Sequence, residues 1–347
     1  MDPTFVRLNG ARRRWKAALA SLLAVASLVQ ACLATSASAA DAHDGASSDC
    51  VSSRGRLKGK LESSCFRLQH GGLERTYRLY LPLARASSPP LVLVLHGGGG
   101  SGAAMELLTQ RRFNRAADRD GAVVVYPDGI DRSWNDGRDL DTQSARDNVD
   151  DVGYLQALVA RMADEFHVDR ARVYATGISN GGLMSYRLAC DAAETFAAVA
   201  PVTASFSEQL GPRCQPARPV AVAIFNGTAD PLVPWAGGKI SVLGFSRGKV
   251  WSTADTFARW IALDGCPAPV VEARVDRDPA DETALIVHRA GPCRGQVELR
   301  LYEIEGGGHT WPMGATYAWE WLVGRVSREV DAVQEIWDFF RGSVRTR

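Results

Sequence analysis

Gly177-Ile178-Ser179-Asn180-Gly181 has the spacing G-x-S-x-G, which sets a serine on a turn tight enough to need glycine on both sides. Val173-Tyr174-Ala175-Thr176 before it reads as a strand, and Leu183 to Ala189 after it as a helix. The hydroxyl would then leave a sheet edge at a helix N-terminus, where the helix dipole favours developing negative charge. Serine is a weak nucleophile until a base takes its proton and an acid orients that base. On strand–turn–helix scaffolds of this type the chain order is Ser, then Asp or Glu, then His. Two histidines follow Ser179. His288 comes directly after the apolar Ala284-Leu285-Ile286-Val287 and suits a core or a sheet edge. His309 stands in Gly306-Gly307-Gly308-His309-Thr310-Trp311-Pro312, whose glycines let the backbone turn the imidazole back toward the serine. Asp230 ends Asn226-Gly227-Thr228-Ala229-Asp230, just past the apolar run Val220 to Phe225. Its rival Asp255 reads as the start of a helix containing Phe257 and Trp260. Asp151 lies upstream of the serine, and capping suits it better. The expected catalytic set is Ser179 as nucleophile, His309 as base and Asp230 as acid.

His96-Gly97-Gly98-Gly99-Gly100 follows the apolar run Leu91 to Leu95, at the position where such scaffolds build part of an oxyanion hole. Gly97 and Gly98 are the expected donors there, together with the backbone N–H of Asn180 after the serine. Neither a G-x-x-x-x-G-K-[ST] nor a G-x-G-x-x-G with a helix behind it fits these glycines, which argues against a phosphate loop. His96 reads as a structural residue rather than a second base.

These residues need strand ends to hold them. From Cys65 onward strand-like and helix-like stretches alternate, the pattern of a mostly parallel sheet covered on both faces. Leu91–Leu95 and Val123–Tyr126 are continuous apolar runs, as expected of strands buried on both sides. Arg172–Thr176, Ala197–Ala200, Val220–Phe225 and Val297–Ile304 are further strands, and His70-Gly71-Gly72 reads as a hairpin turn. Val152, Leu155, Val159, Met162 and Phe166 share one helical face, with Asp150 or Asp151 as N-cap. Val330, Val333, Ile336, Trp337 and Phe340 mark a closing amphipathic helix. The reading is α/β, a single domain with helices on both faces of the sheet.

The chain has 347 residues and a formal charge of +1. Arg12, Arg13, Arg14 and Lys16 precede an apolar run from Ala17 to Ala34 and the small residues Ala37-Ser38-Ala39, the order of an export signal spanning residues 1–39. Without that segment, which holds five basic residues and one acidic, the charge falls to about −3. Attraction to nucleic acid therefore has little support. Residues 40–64 read as a linker and N-terminal segment, and 65–347 as the catalytic domain. Val29-Gln30-Ala31-Cys32 also resembles a lipoprotein box. Membrane association would require lipidation of Cys32 or retention of the leader. The other six cysteines suit structural disulfides in an oxidising compartment, and sequence proximity suggests Cys50–Cys65, Cys190–Cys214 and Cys266–Cys293. The expected location is secreted or periplasmic.

Taken in order, the motifs form a recognisable set. The glycine loop His96–Gly102, Ser133-Trp134-Asn135-Asp136-Gly137, Asp150-Asp151-Val152-Gly153-Tyr154 and the Ser179 turn are followed by Gly227–Pro234 and Gly306–Pro312. Over roughly residues 65–343 the chain resembles the polyhydroxybutyrate depolymerase-like esterases, which include feruloyl esterases. The resemblance implies an α/β-hydrolase fold, hydrolysis of carboxylic esters outside the cell without a cofactor or metal, and a triad on Ser179, Asp230 and His309. It departs from the family pattern at Trp235 and at Met313-Gly314. Nothing resembles the separate polymer-binding domain of depolymerases that attack solid polyester, which favours smaller or soluble esters. Trp235, Trp311, Trp319 and Trp321 are candidates to line an acyl pocket, where flat walls would suit a cinnamoyl group. The partner expected is an ester, from a hydroxyalkanoate to a cell-wall aromatic ester. A serine peptidase or acyltransferase would use the same scaffold and triad, and a binding protein could keep the fold without catalysis.

Overall fold

The computed structural model describes residue 50, residues 63–138 and residues 142–345. All of these but Cys50 belong to one compact unit, Val51–Arg347. The leader expected at 1–39, Cys32 and most of the segment 40–64 lie outside the described residues.

The apolar runs become the centre of a ten-stranded sheet. In chain order its strands are β1 (Ser64–His70), β2 (Leu73–Tyr80), β3 (Leu91–Leu95), β4 (Val123–Pro127), β5 (Val173–Ile178), β6 (Ala198–Val202) and β7 (Ala221–Gly227). A separate hairpin, β8 (Gly238–Val242) and β9 (Phe245–Val250), precedes β10 (Val270–Val271), β11 (Ala284–Ala290) and β12 (Leu299–Glu305). Their spatial order is β1-β2-β4-β3-β5-β6-β7-β12-β11-β10. The six strands from β4 to β12 in that order pair in parallel, while both margins are antiparallel. A parallel sheet needs cover on both faces, and the period of two along each strand supplies two apolar surfaces. Leu91, Leu93 and Leu95 belong to one core cluster, Val92 and Val94 to the other.

Among the described residues, six helices of seven or more residues supply the cover: α1 (Gly102–Leu108), α2 (Arg112–Asp120), α3 (Asp151–Phe166), α4 (Asn180–Asp191), α5 (Thr253–Asp264) and α6 (Ala332–Gly342). Residues of α3, α4 and α5 join the first cluster, and residues of α2 and α6 the second. The N-cap of α3 is Asp150, whose carboxylate accepts the Gly153 N–H at 2.8 Å. Asp151 does not cap. It is fully buried, paired with the Arg75 guanidinium at 2.6 Å, because the β2 strand next to it brings a cation that a capping residue would not need.

Two consequences position the site. Because β5, β6, β7 and β12 are parallel neighbours, the loops after β5, β7 and β12 open on one edge of the sheet. Phe225 and Tyr302, register partners across β7 and β12, stack with ring centroids 4.1 Å apart, which locks those two strands side by side. Cys190–Cys214 and Cys266–Cys293 are disulfides, and Cys50 and Cys65 are also disulfide-bonded.

Candidate active site

Ser179 occupies the turn between β5 and α4 with φ 56° and ψ −119°, a left-handed backbone that a residue bearing a side chain adopts only under constraint. The constraint is visible at Gly181. A Cβ there would lie 2.5 Å from the carbonyl oxygens of Leu95 and His96, so α4 starts pressed against the end of β3. Ser179 N–H donates to Val202 O at 2.9 Å, and Ser179 O accepts from Leu183 N–H at 2.8 Å. The backbone is thus fixed on both sides of a half-buried serine.

The imidazole of His309 is held by Asp230, Nδ1 to Oδ2 at 2.8 Å, and both side chains are almost wholly buried. The other carboxylate oxygen, Oδ1, accepts the N–H groups of Leu232 and Val233, each at 2.8 Å. Three hydrogen bonds to one carboxylate fix its rotamer. The His309 loop is pinned from outside as well. Its N–H donates to Val323 O at 2.5 Å, and its carbonyl accepts the Tyr317 hydroxyl at 2.5 Å. With Nδ1 committed to Asp230, Nε2 is the ring nitrogen left for a reacting proton. Among the described residues the Ser179 hydroxyl makes no hydrogen bond to His309; bonds of this kind tighten in substrate complexes. The expected rivals serve elsewhere. Asp255 bonds the hydroxyl of Ser252, the N-cap of α5, and His288 pairs with Glu303 across the sheet margin at 2.8 Å.

The glycine loop lies beside the serine turn. A Cβ on Gly97 would sit 3.5 Å from that of Ser179, and one on Gly98 would sit 3.8 Å from that of Asn180. Gly99 and Gly100 donate their N–H groups to Arg132 O and Gly97 O, at 2.8 and 2.9 Å. The first N–H groups of α4, Asn180 among them, have no partner within the helix. His96 shapes this loop rather than acting on substrate. Its Nδ1 lies 2.7 Å from Gly97 O and its Nε2 accepts the Gly129 N–H at 3.0 Å, which assigns a neutral ring protonated at Nδ1. Burial holds its pKa below the ordinary histidine value and keeps it neutral.

Asp136 was not among the expected site residues, yet it anchors this region. The Asn180 side chain donates to Asp136 Oδ2 at 2.6 Å and to Trp134 O at 3.1 Å, and accepts the Trp134 N–H at 2.8 Å. Arg138 closes on the same carboxylate at 2.7 Å. Asp151 holds the next residue by accepting Asn135 N–H at 2.7 Å. The residue after the serine is therefore clamped by the segment Trp134–Asp136. The sequence signal was the Ser133–Gly137 motif itself, without a stated role.

The chain is similar to several known proteins. The family described as "Esterase PHB depolymerase" matches residues 75–209. A protein named "Putative esterase NocK" from Nocardia uniformis subsp. tsuyamanensis is 32% identical over 283 residues, 78% of this chain and 80% of that protein. The chain belongs to the polyhydroxybutyrate depolymerase-like and feruloyl esterase-like family. Feruloyl esterase B of Piromyces equi is 29% identical over 63% of this chain, which spans only 39% of that longer protein. Among solved structures, an acetyl xylan esterase from Aspergillus awamori has a TM-score of 0.50 at 15% identity, covering 77% of this chain and 94% of that one. That likeness concerns the α/β-hydrolase fold alone.

Within this esterase the four tryptophans part company. Trp311 is 1% exposed and packs edge-on against Phe113 of α2, with ring centroids 6.1 Å apart at 74°. It fills the core, because the Trp311–Gly314 turn directs its ring inward; Gly314 N–H closes that turn on Trp311 O at 2.8 Å. Trp319 and Trp321 are 71% and 70% exposed, too open for the walls of an acyl pocket. Trp235, half-buried at the end of the Asp230 loop against the first core cluster, keeps a position compatible with that role.

Proposed function

We propose that this esterase works through an acyl-enzyme on Ser179. His309 removes the hydroxyl proton through Nε2 as Oγ attacks the ester carbonyl. The N–H groups of Gly97, Gly98 and Asn180 receive the oxyanion. His309 then passes the proton to the departing alcohol, and water repeats the sequence to release the acid. Asp230 keeps the ring in the tautomer that presents Nε2 and stabilises the imidazolium when it forms. A single observation carries the reading: the buried His309–Asp230 pair, at 2.8 Å, stands on the sheet edge where Ser179 is held in a strained turn.

Relatives named feruloyl and acetylxylan esterases support an acyl group of acetyl or hydroxycinnamoyl type on a sugar, with Trp235 beside the acyl chain. The disulfides and the basic-then-apolar start of the chain support export, with residues 1–39 removed and 65–347 forming the catalytic domain. The test is turnover of p-nitrophenyl acetate and methyl ferulate by the wild type and by Ser179→Ala. The proposal expects hydrolysis of at least one, lowered at least a thousandfold in the variant. Equal turnover in both proteins would overturn it.

A further inference from the structure

The glycines Gly306, Gly307 and Gly308 lead into His309, so its main chain has little stiffness of its own. An imidazole that must serve Asp230 and Ser179 together then depends on whatever holds that main chain from outside. Both of its main-chain groups are held by one later stretch of chain, the N–H by Val323 O and the carbonyl by the Tyr317 hydroxyl. The first partner is a peptide oxygen that any residue at 323 would supply. The second is a side chain, so the identity of residue 317 decides whether that bond exists.

The stretch that carries Tyr317 is itself anchored. On the near side Ala315 N–H donates to Leu108 O, at the end of α1, and Met313 N–H donates to Ser327 O, each at 2.9 Å. On the far side Gly308 N–H donates to Arg325 O at 3.0 Å, and Gly307 pairs with Arg325 in a parallel bridge. A tyrosine on a surface loop ordinarily packs its ring inward and turns its polar tip to water. Tyr317 does the reverse: 48% of the residue is exposed, while its hydroxyl points in to the His309 carbonyl. Burial around that hydroxyl, reinforced by the Asp230 charge nearby, raises the phenol pKa and keeps the proton on the oxygen as a donor.

We infer that Tyr317 is a positioning residue of this esterase, holding the His309 main chain so that the imidazole serves Asp230 and Ser179 together. The inference rests on the reading of His309 as the base. Tyr317→Phe removes the hydrogen bond, keeps the ring and, with half the residue in water, keeps the fold. A displacement of about 1 Å at a reacting group costs on the order of a hundredfold in rate. In the variant, kcat for p-nitrophenyl acetate should therefore fall about ten- to a hundredfold, with KM changed by less than about twofold. A fluorophosphonate then separates aim from folding. The variant should still take up one label per chain, as the wild type does, with a rate constant lowered about as far as kcat. A merely structural role would lower the fraction of chains labelled and leave the rate of the remainder unchanged. That result would overturn the inference, as would equal kcat and equal labelling rate in the two proteins. A raised KM at unchanged kcat would also overturn it, making Tyr317 a substrate contact instead. A wild type that takes no label would sink the acyl-enzyme reading, whereas a labelled wild type beside an unchanged variant sinks this inference alone.

Discussion

Asp136 makes no bond to a reacting atom in the mechanism proposed, yet Asn180 and Arg138 both converge on its carboxylate in a space closed to water. Its effect would pass through the aim of the Asn180 N–H, one of the groups expected to receive the oxyanion. Donors at such a site act on charge that develops only in the transition state, so misplacing one lowers kcat without weakening substrate binding. Asp136→Asn removes the negative charge that keeps Arg138 and the Asn180 side chain in place. It should lower kcat roughly ten- to a hundredfold with little change in KM, as read from steady-state kinetics beside a melting curve. A rise in KM alone would assign Asp136 to substrate binding instead. Asp230 stands differently, since it touches His309, the base proposed, and its carboxylate is fixed by two backbone N–H groups.

Elements whose sequence met a single physical demand were legible in advance. Leu91–Leu95 and Val123–Tyr126 had to be strands buried on both faces, and the structure has them as β3 and β4. The helix read from Val152 to Phe166 and the closing amphipathic helix are α3 and α6. The hairpin of β8 and β9 was missed. Its second strand, Phe245-Ser246-Arg247-Gly248-Lys249-Val250, is exposed along most of its length, so no alternation of apolar residues announces it. The placement of the candidate site was legible for a similar reason, since Ser179, Asp230, His309 and the glycine loop each follow a strand that the sequence marks clearly. The Asp136 clamp and the Arg75–Asp151 pair were not, because their partners lie 44 and 76 residues apart and only the folded sheet joins them. Trp311 shows the limit of motif reading. A tryptophan two positions after His309 looks the same in sequence whether it faces substrate or core, and here the turn that follows sends it inward.

At the scale of the molecule, one buried group ties stability to pH. Asp264, at the last turn of α5, has no exposure to solvent, and burial pushes its carboxyl up to about 7 despite the attraction of Arg294. In the unfolded chain the same group titrates near 3.9. Between those values the folded state binds the extra proton, so this contribution to stability is largest at acid pH and declines as pH rises from about 4 toward 7. Asp264→Asn keeps the shape and removes the titration. It should be more stable than the wild type at pH 8, by on the order of a few kcal/mol, and closer to it at pH 4.5. Denaturant unfolding at the two pH values measures this. A gap between the proteins that does not change with pH would contradict it.

The central claim concerns one hydroxyl, and an active-site label reads it most directly. A fluorophosphonate reacts with a serine whose proton has a base waiting, and the adduct stays on that residue. Incubated with the full chain, it should add one label, located by peptide mass to the segment containing Ser179, and Ser179→Ala should take up none. An unlabelled wild type, or equal labelling of the Ser179→Ala variant, would contradict the account.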